Sequence, residues 1–254
     1  MRRQNQQKAG FSLVELSIVL VILGLLTGGI LGGQSLIRAA ELRKVSTDVN
    51  RYKTALLTFR DKYFALPGDM QNASAFWGAA DGSTGLTAGC ATATAAGTCN
   101  GNGDGQITLG PENYRLWQQL NLAGLVEGSY SGVPGPAPTG ANVSDVIGTN
   151  TPRFPINSGG FGIAYQWSAP LLSGFTSRQN VLVAAPCCHA INKNVEGGLV
   201  RAEEMWNIDT KMDDGRPRTG SVQVYTALPN CEASGEYSLP FTSNSCMPYF
   251  GLGL

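Results

Sequence analysis

The residues most able to do chemistry in this chain are its cysteines, a short run of oxygen-bearing side chains, an acidic turn and one isolated glutamate. The six cysteines all lie beyond residue 89 and fall in close pairs: Cys90/Cys99, Cys187/Cys188 and Cys231/Cys246. An oxidising compartment turns an even set of this kind into crosslinks, whereas a cytosolic chain more often uses it for metal or redox work. No pair shows the CxxC…CxxC spacing of a zinc site, so disulfides are the expectation and no metal is expected at the cysteines. Cys187-Cys188-His189 invites a metal or nucleophile reading. His189 is the single histidine, however, which leaves little support for a His-rich site or a Ser-His-Asp triad. The adjacent cysteines either bond to each other or pair elsewhere. No catalytic constellation emerges, and the chain is not expected to be an enzyme.

Asn100-Gly-Asn102-Gly-Asp104-Gly105-Gln106-Ile107 has oxygen side chains at alternate positions, a turn glycine and then an apolar residue, as half of a calcium loop requires. The run departs from that pattern at its first position, Asn100, and at its twelfth, where Pro111 stands and Glu112 follows one later. No cofactor is expected: a plain Gly-rich turn beside Cys90/Cys99 is the favoured reading because the strongest ligand position is displaced, with calcium at Asn100, Asn102 and Asp104 the alternative. Asp209, Asp213 and Asp214 could likewise take a cation, but Asp-Asp-Gly followed by Pro217 is turn composition, and a turn is expected there.

The isolated glutamate leads to the element that must hold it. From Phe11 to Ile37 the chain reads FSLVELSIVLVILGLLTGGILGGQSLI, with Glu15 the one charge. About 20 apolar residues cross a bilayer as a helix at ~1.5 Å per residue. The run is too long for the roughly 7–15-residue core of a secretory signal, and no A-x-A site closes it. Membrane anchoring follows. A carboxylate in such a span costs about 2.5–3.5 kcal/mol on insertion scales, so it is kept with a partner or a role. Snorkelling to the interface explains its tolerance but not its placement. Gly24, Gly28 and Gly32 recur at i, i+4 and i+8, a spacing that lets helices approach closely. Each glycine also weakens the helix by about 1 kcal/mol relative to alanine. Arg38, Arg43, Lys44, Arg51 and Lys53 follow the span closely, so the positive-inside count does not favour export of what comes after it. The cysteine pairs do favour export.

At Gly10-Phe11-Ser12-Leu13-Val14-Glu15 the chain resembles the processing site of type IV prepilins and type II secretion pseudopilins. That class has a short basic leader ending in Gly, then Phe, then glutamate at the fifth mature position, then an apolar helix, and all these elements stand here in register. The resemblance covers the first ~55 residues by the helical pattern. It implies a leader over residues 1–10, cleavage between Gly10 and Phe11 by a prepilin peptidase/methyltransferase, and N-methylation of Phe11. It also implies that Glu15 pairs with the new Phe11 amine of a neighbouring subunit and sets register during assembly. Many major pilins carry a Pro where this chain has Gly32. The resemblance further implies an inner-membrane protein with an exported head, later part of an extracellular or periplasmic filament with copies of itself or related pilins. The stretches LPGD, WQQLNLAGLV and IDTKMDDGRPRTGSV also look like parts of larger-headed prepilin-type proteins. A tethered or tip-located binding module, for adhesion or DNA uptake, is the alternative; a simple anchor would not need the Gly10/Phe11…Glu15 register.

Beyond the span the helical pattern continues. Leu42, Val45, Val49, Tyr52, Leu56, Phe59 and Tyr63 recur in steps of three and four, and Leu66-Pro67-Gly68-Asp69 ends the run. The expected organisation is therefore a membrane half over residues 11–37, a soluble helical half over 38–66 and a head over 67–254. In the head, Pro111 opens a helix over 112–126 with Leu116, Leu120 and Ala123 inward. Residues 129–160 read as a long loop, 161–167, 181–185 and 221–227 as strands, and 199–209 as a helix. This is an α+β, loop-rich, type IV pilin-like head with an antiparallel sheet. Balanced charge, 18 basic against 18 acidic residues, gives no overall field directed at nucleic acid.

Overall fold

The computed structural model describes residues 12–80, 97–108, 110–135, 145–165, 179–186, 198–225 and 228–253. The chain divides into two compact units, Met1–Glu41 and Leu42–Leu254. Helix α1, Leu13–Tyr63, begins in the first. Ser12 caps it, its Oγ accepting the Val14 N–H at 3.3 Å while Glu15 Oε2 accepts the Ser12 N–H at 2.9 Å. From Leu13 through Ile37 no side chain is buried. A Cβ added at Gly24, Gly28 or Gly32 would meet nothing within 4 Å.

In the second unit, Val45, Val49, Tyr52, Leu56 and Phe59 of α1 are buried in the core, and Leu42 and Tyr63 pack at its margin. A stripe repeating every three or four residues lies along one helix face, which is why these residues go inward together. The helix ends three residues before the expected boundary. Phe64 takes a left-handed conformation (φ 54°) and donates its N–H to the Arg60 carbonyl at 2.8 Å, closing the last turn before Pro67 is reached.

Two short helices follow: α2, Ala73–Trp77, and α3, Pro111–Leu122, with Pro111 in its first turn. Helix α3 stops short of Val126 because Gly124 turns the chain at φ 73°. Tyr52 of α1 is edge-on to Trp117 of α3 at 5.0 Å and to Phe161 of the sheet at 5.1 Å, so one ring ties three elements together.

The strands are β1 (Gly160–Tyr165), β2 (Asn180–Ala185), β3 (Val200–Arg201), β4 (Val222–Val224), β5 (Glu232–Ala233), β6 (Glu236–Tyr237), β7 (Asn244–Cys246) and β8 (Pro248–Gly251). The main sheet is antiparallel throughout, in the order β1-β2-β8-β4. Strand β2 is buried along its whole length, as a continuous apolar run in a central position requires. Both borders of the sheet are occupied. Along β1, the N–H groups of Phe161, Ile163 and Tyr165 donate to Pro152 O (2.8 Å), Asn113 Oδ1 (2.7 Å) and Ile107 O (2.8 Å). Along β4, those of Val222 and Val224 donate to Asp213 Oδ2 and Pro217 O, each at 3.1 Å.

The expected 161–167 strand runs over 160–165, with residues 166 and 167 outside the described ones, and the expected 221–227 strand is described only over 222–224. The expected 199–209 helix is displaced to α4, Ala202–Met212, because Val200 and Arg201 pair with β7 instead. Glu204 then accepts the Arg201 N–H at 3.3 Å and marks the true helix start. Strands β5 and β6 form a hairpin through Ser234 and Gly235, both at positive φ, as a tight two-residue turn requires. Cys231 and Cys246 are bonded, with Cα atoms 4.9 Å apart. On a chain-entropy account a loop of this size stabilises the fold by ~3 kcal/mol.

Candidate functional site

The N-terminal candidate is built on the start of α1. Gly10 and Phe11 lie outside the described residues. Glu15 is exposed in the first helical turn, and its Oε2 is used by Ser12. Its Oε1 has no hydrogen-bond partner among the described residues, so one carboxylate oxygen serves the helix start and the other faces outward. Ser12-x-x-Glu15 has the spacing of a capping box, a signal for this cap that lies in the sequence itself.

Of the cysteines, Cys231 and Cys246 are joined as described above. Cys99 is buried and disulfide-bonded; Cys90, Cys187, Cys188 and His189 lie outside the described residues.

The Asn100–Asp104 run forms a loop with its oxygens turned to local work. Asn100 Oδ1 accepts the Ser74 N–H at 2.8 Å, Asn102 Oδ1 the Asp104 N–H at 3.0 Å, and Asp104 Oδ1 the Gln106 N–H at 2.8 Å. What the loop encloses is a carboxylate. Asp69 Oδ1 accepts the N–H groups of Gly103 (2.6 Å) and Asp104 (3.2 Å), and Oδ2 accepts that of Gly105 (2.8 Å). Successive backbone N–H groups curled in this way form a concavity suited to an anion. Gly101 cannot be replaced here without a shift, because its Cβ would lie 2.3 Å from Asp69 backbone atoms. Burial pushes the Asp69 carboxyl up, and the N–H groups of Gly105 and Gly103 oppose that rise. In the sequence Asp69 stands in a helix-terminating turn; its second role needs a partner more than thirty residues away.

Hydrogen bonds to a charged acceptor contribute roughly 1.5–3 kcal/mol each, with much overlap when they share one carboxylate. Asp69→Ala should therefore destabilise the folded chain by about 2–3 kcal/mol in denaturant melts, the loop N–H groups falling back on water. Asp69→Asn should lie between, since its amide keeps one oxygen. An unchanged Asp69→Ala midpoint would remove Asp69 as the clasp of this loop.

The third group sits at the end of α4. Carboxylate oxygens of Asp209, Asp213 and Asp214 lie within 4.8 Å of one another, so the acidic residues expected in a turn are brought together. Asp209 lies within the helix, as the expected 199–209 helix had it, and is fully buried, while Asp213 and Asp214 follow the helix end. Its Oδ2 accepts the Tyr237 hydroxyl at 2.8 Å and its Oδ1 the Gly215 N–H at 3.3 Å. Burial is the main force on it and pushes its pKa up to about 7, against the lowering effect of those two donors. Asp213 accepts the N–H groups of Ser221 and Val222, and Asp214 accepts the Arg216 N–H at 2.9 Å and the Thr219 hydroxyl. Three carboxylates at this spacing can hold a divalent cation, and the hydrogen bonds equally tie the end of α4 to β4.

Residues 5–31 match the family model described as the prokaryotic N-terminal methylation motif. No curated protein and no solved structure matches the chain. The matched segment is the prepilin-type cleavage and methylation segment, and it contains Gly10, Phe11 and Glu15. Together with one helix, among the described residues, long and apolar enough to cross a membrane, it makes the chain type IV pilin-like at its N-terminus.

Proposed function

We propose that the protein is a structural subunit of a type IV pilus or secretion pseudopilus, made as a prepilin and assembled through α1. The observation that carries this reading is Glu15. It stands at the fifth position after the Gly10/Phe11 junction, within the methylation motif, in the first turn of a helix whose residues through Ile37 are otherwise uncharged and unburied. A membrane anchor alone gains nothing from a carboxylate there, whereas a filament of packed helices gains a register mark. On this reading prepilin peptidase cuts before Phe11 and methylates the new amine. The subunit then waits in the inner membrane with its head exported, and joins a periplasmic or extracellular filament with copies of itself or related pilins.

The test is the intact mass of the native protein together with electron microscopy of sheared surface material. The expected mass lacks Met1–Gly10 and carries one added methyl, and the sheared filaments contain this chain. Met1 retained on the exported protein would overturn the processing. A processed, methylated chain that stays in the membrane and binds a surface or DNA would favour the tethered module.

A further inference from the structure

Phe64, at the end of α1, adopts a left-handed backbone conformation that favours glycine, and its side chain is 93% exposed. Both features cost free energy, and no ring of the head stacks on it among the described residues. It borders a cleft of about 570 Å³, within the roughly 300–1,000 Å³ of sites for small molecules. Arg60, Tyr63, Asp69, Gln71 and Asn72 share the wall. The Tyr63 ring is engaged by Phe59, Phe76 and Trp77, and Lys62 Nζ lies 5.1 Å over it. Phe64 is therefore the open aromatic face of the cleft.

Much of the hydrogen-bonding capacity in the wall is unused. Among the described residues, the Arg60 guanidinium, the Tyr63 hydroxyl and the Asn72 amide have no hydrogen-bond partner. Gln71 donates its amide N–H to Asn102 O at 2.7 Å, and its Oε1 accepts nothing among the described residues. Asp69 is buried, and its oxygens are held in place by the N–H groups of Gly103, Asp104 and Gly105.

These groups select an uncharged ligand. One basic and one acidic side chain leave the wall without net charge to hold an ion. An anion drawn to Arg60 meets the Asp69 carboxylate, and a cation finds that carboxylate already turned to the loop N–H groups. Hydroxyls both donate and accept, so they suit amides, a guanidinium and a carboxylate together. A pyranose ring adds an apolar face of C–H groups, which the negative face of an open aromatic ring attracts.

We propose that the cleft at the end of α1 binds a neutral saccharide, one pyranose ring stacked on Phe64 and its hydroxyls bonded to Arg60, Gln71 and Asn72. The left-handed turn at Phe64 then has a purpose: it holds the ring clear of the head, beside the polar wall. The proposal goes beyond the filament reading and rests on no part of it.

The test uses the full chain in a detergent without a sugar headgroup, titrated with maltose, cellobiose and lactose. Saturation-transfer NMR should show at least one of them bound, with the strongest transfer on the C–H protons of one ring face. A Kd of roughly 0.1–5 mM is expected for so shallow and solvated a site. Phe64→Gly should abolish binding while leaving the melting temperature unchanged or higher, because glycine tolerates the left-handed backbone. Phe64→Trp should keep binding, and Asn72→Ala or Arg60→Ala should weaken it about tenfold. A residue serving only the fold would not separate binding from melting in this way. No transfer to any of the three sugars overturns the proposal. So does binding that survives Phe64→Gly, or a preference for glycine betaine or glucuronate over the neutral sugars. The result does not depend on whether the chain forms filaments, so either reading can fail without the other.

Discussion

Glu15→Val should insert in the membrane at least as well as the natural chain and yet yield almost no filament. Insertion improves because the substitution removes a carboxylate worth about 2.5–3.5 kcal/mol of cost in the span. Assembly fails because the Phe11 amine released by cleavage then enters an apolar helix bundle without a counter-charge, where low dielectric makes an unpaired charge expensive. The head should be untouched, since the Glu15 side chain makes no hydrogen bond or ion pair beyond Ser12 among the described residues. The capping geometry supplies the decisive control. Valine abolishes both the charge and the cap on the Ser12 N–H, and loss of a cap alone costs about 0.5–2 kcal/mol. Glu15→Gln keeps an oxygen for that N–H and loses only the charge. If the ion pair sets register, Gln should fail as Val does. If Glu15 merely starts the helix, Gln should assemble normally and Val partly. Sheared filament against membrane-retained subunit is the ratio to measure, with Phe11 methylation checked in each variant.

A second large effect is expected from pH. Asp209 is buried with its pKa near 7, well above its unfolded value of about 3.9. Below pH 4 both states carry the proton and the group does not distinguish them. As pH rises toward 7 the unfolded chain releases its proton while the folded one keeps it, so folding stability is lost progressively across that window. At about 1.4 kcal/mol per unit the loss reaches roughly 3–4 kcal/mol, and it levels off above pH 7. Denaturant melts between pH 5 and pH 8, with a chelator present throughout, should show that decline. Tyr237→Phe removes the hydroxyl that favours the carboxylate, so the decline should extend to higher pH. Asp209→Asn should flatten the profile. A natural chain with no pH dependence in this range would mean that water or a cation reaches Asp209.

The sequence displays the long helix and its buried stripe plainly, because Val45 through Phe59 repeat a period that only one kind of element satisfies. The central strand Val181–Ala185 is equally plain. The C-terminal strands are not, since β5, β6 and β7 span only two or three residues and no periodicity fits in such a length. At the candidate sites, what could be read was local. The Gly10/Phe11…Glu15 register and the Cys231/Cys246 spacing lie within short segments. The Asp69 clasp on Gly103–Gly105 and the burial of Asp209 beneath Tyr237 join residues far apart in the chain, and composition carries no trace of them. In the Asn100–Asp104 run the residue types were readable, while the turning of its backbone N–H groups toward the Asp69 carboxylate was not.

The occupied borders of the main sheet bear on how the head avoids unwanted association. Exposed strand edges invite other strands to add to them, which is the route to uncontrolled aggregation. Here Pro152, Asn113 and Ile107 take the outward donors of β1, and Asp213 and Pro217 take those of β4. Among the described residues, these donors of the main sheet are thus not open to a strand from another copy. β-Addition along these two edges is therefore disfavoured, and contacts made there fall to side-chain surfaces, which can be undone without unfolding the head.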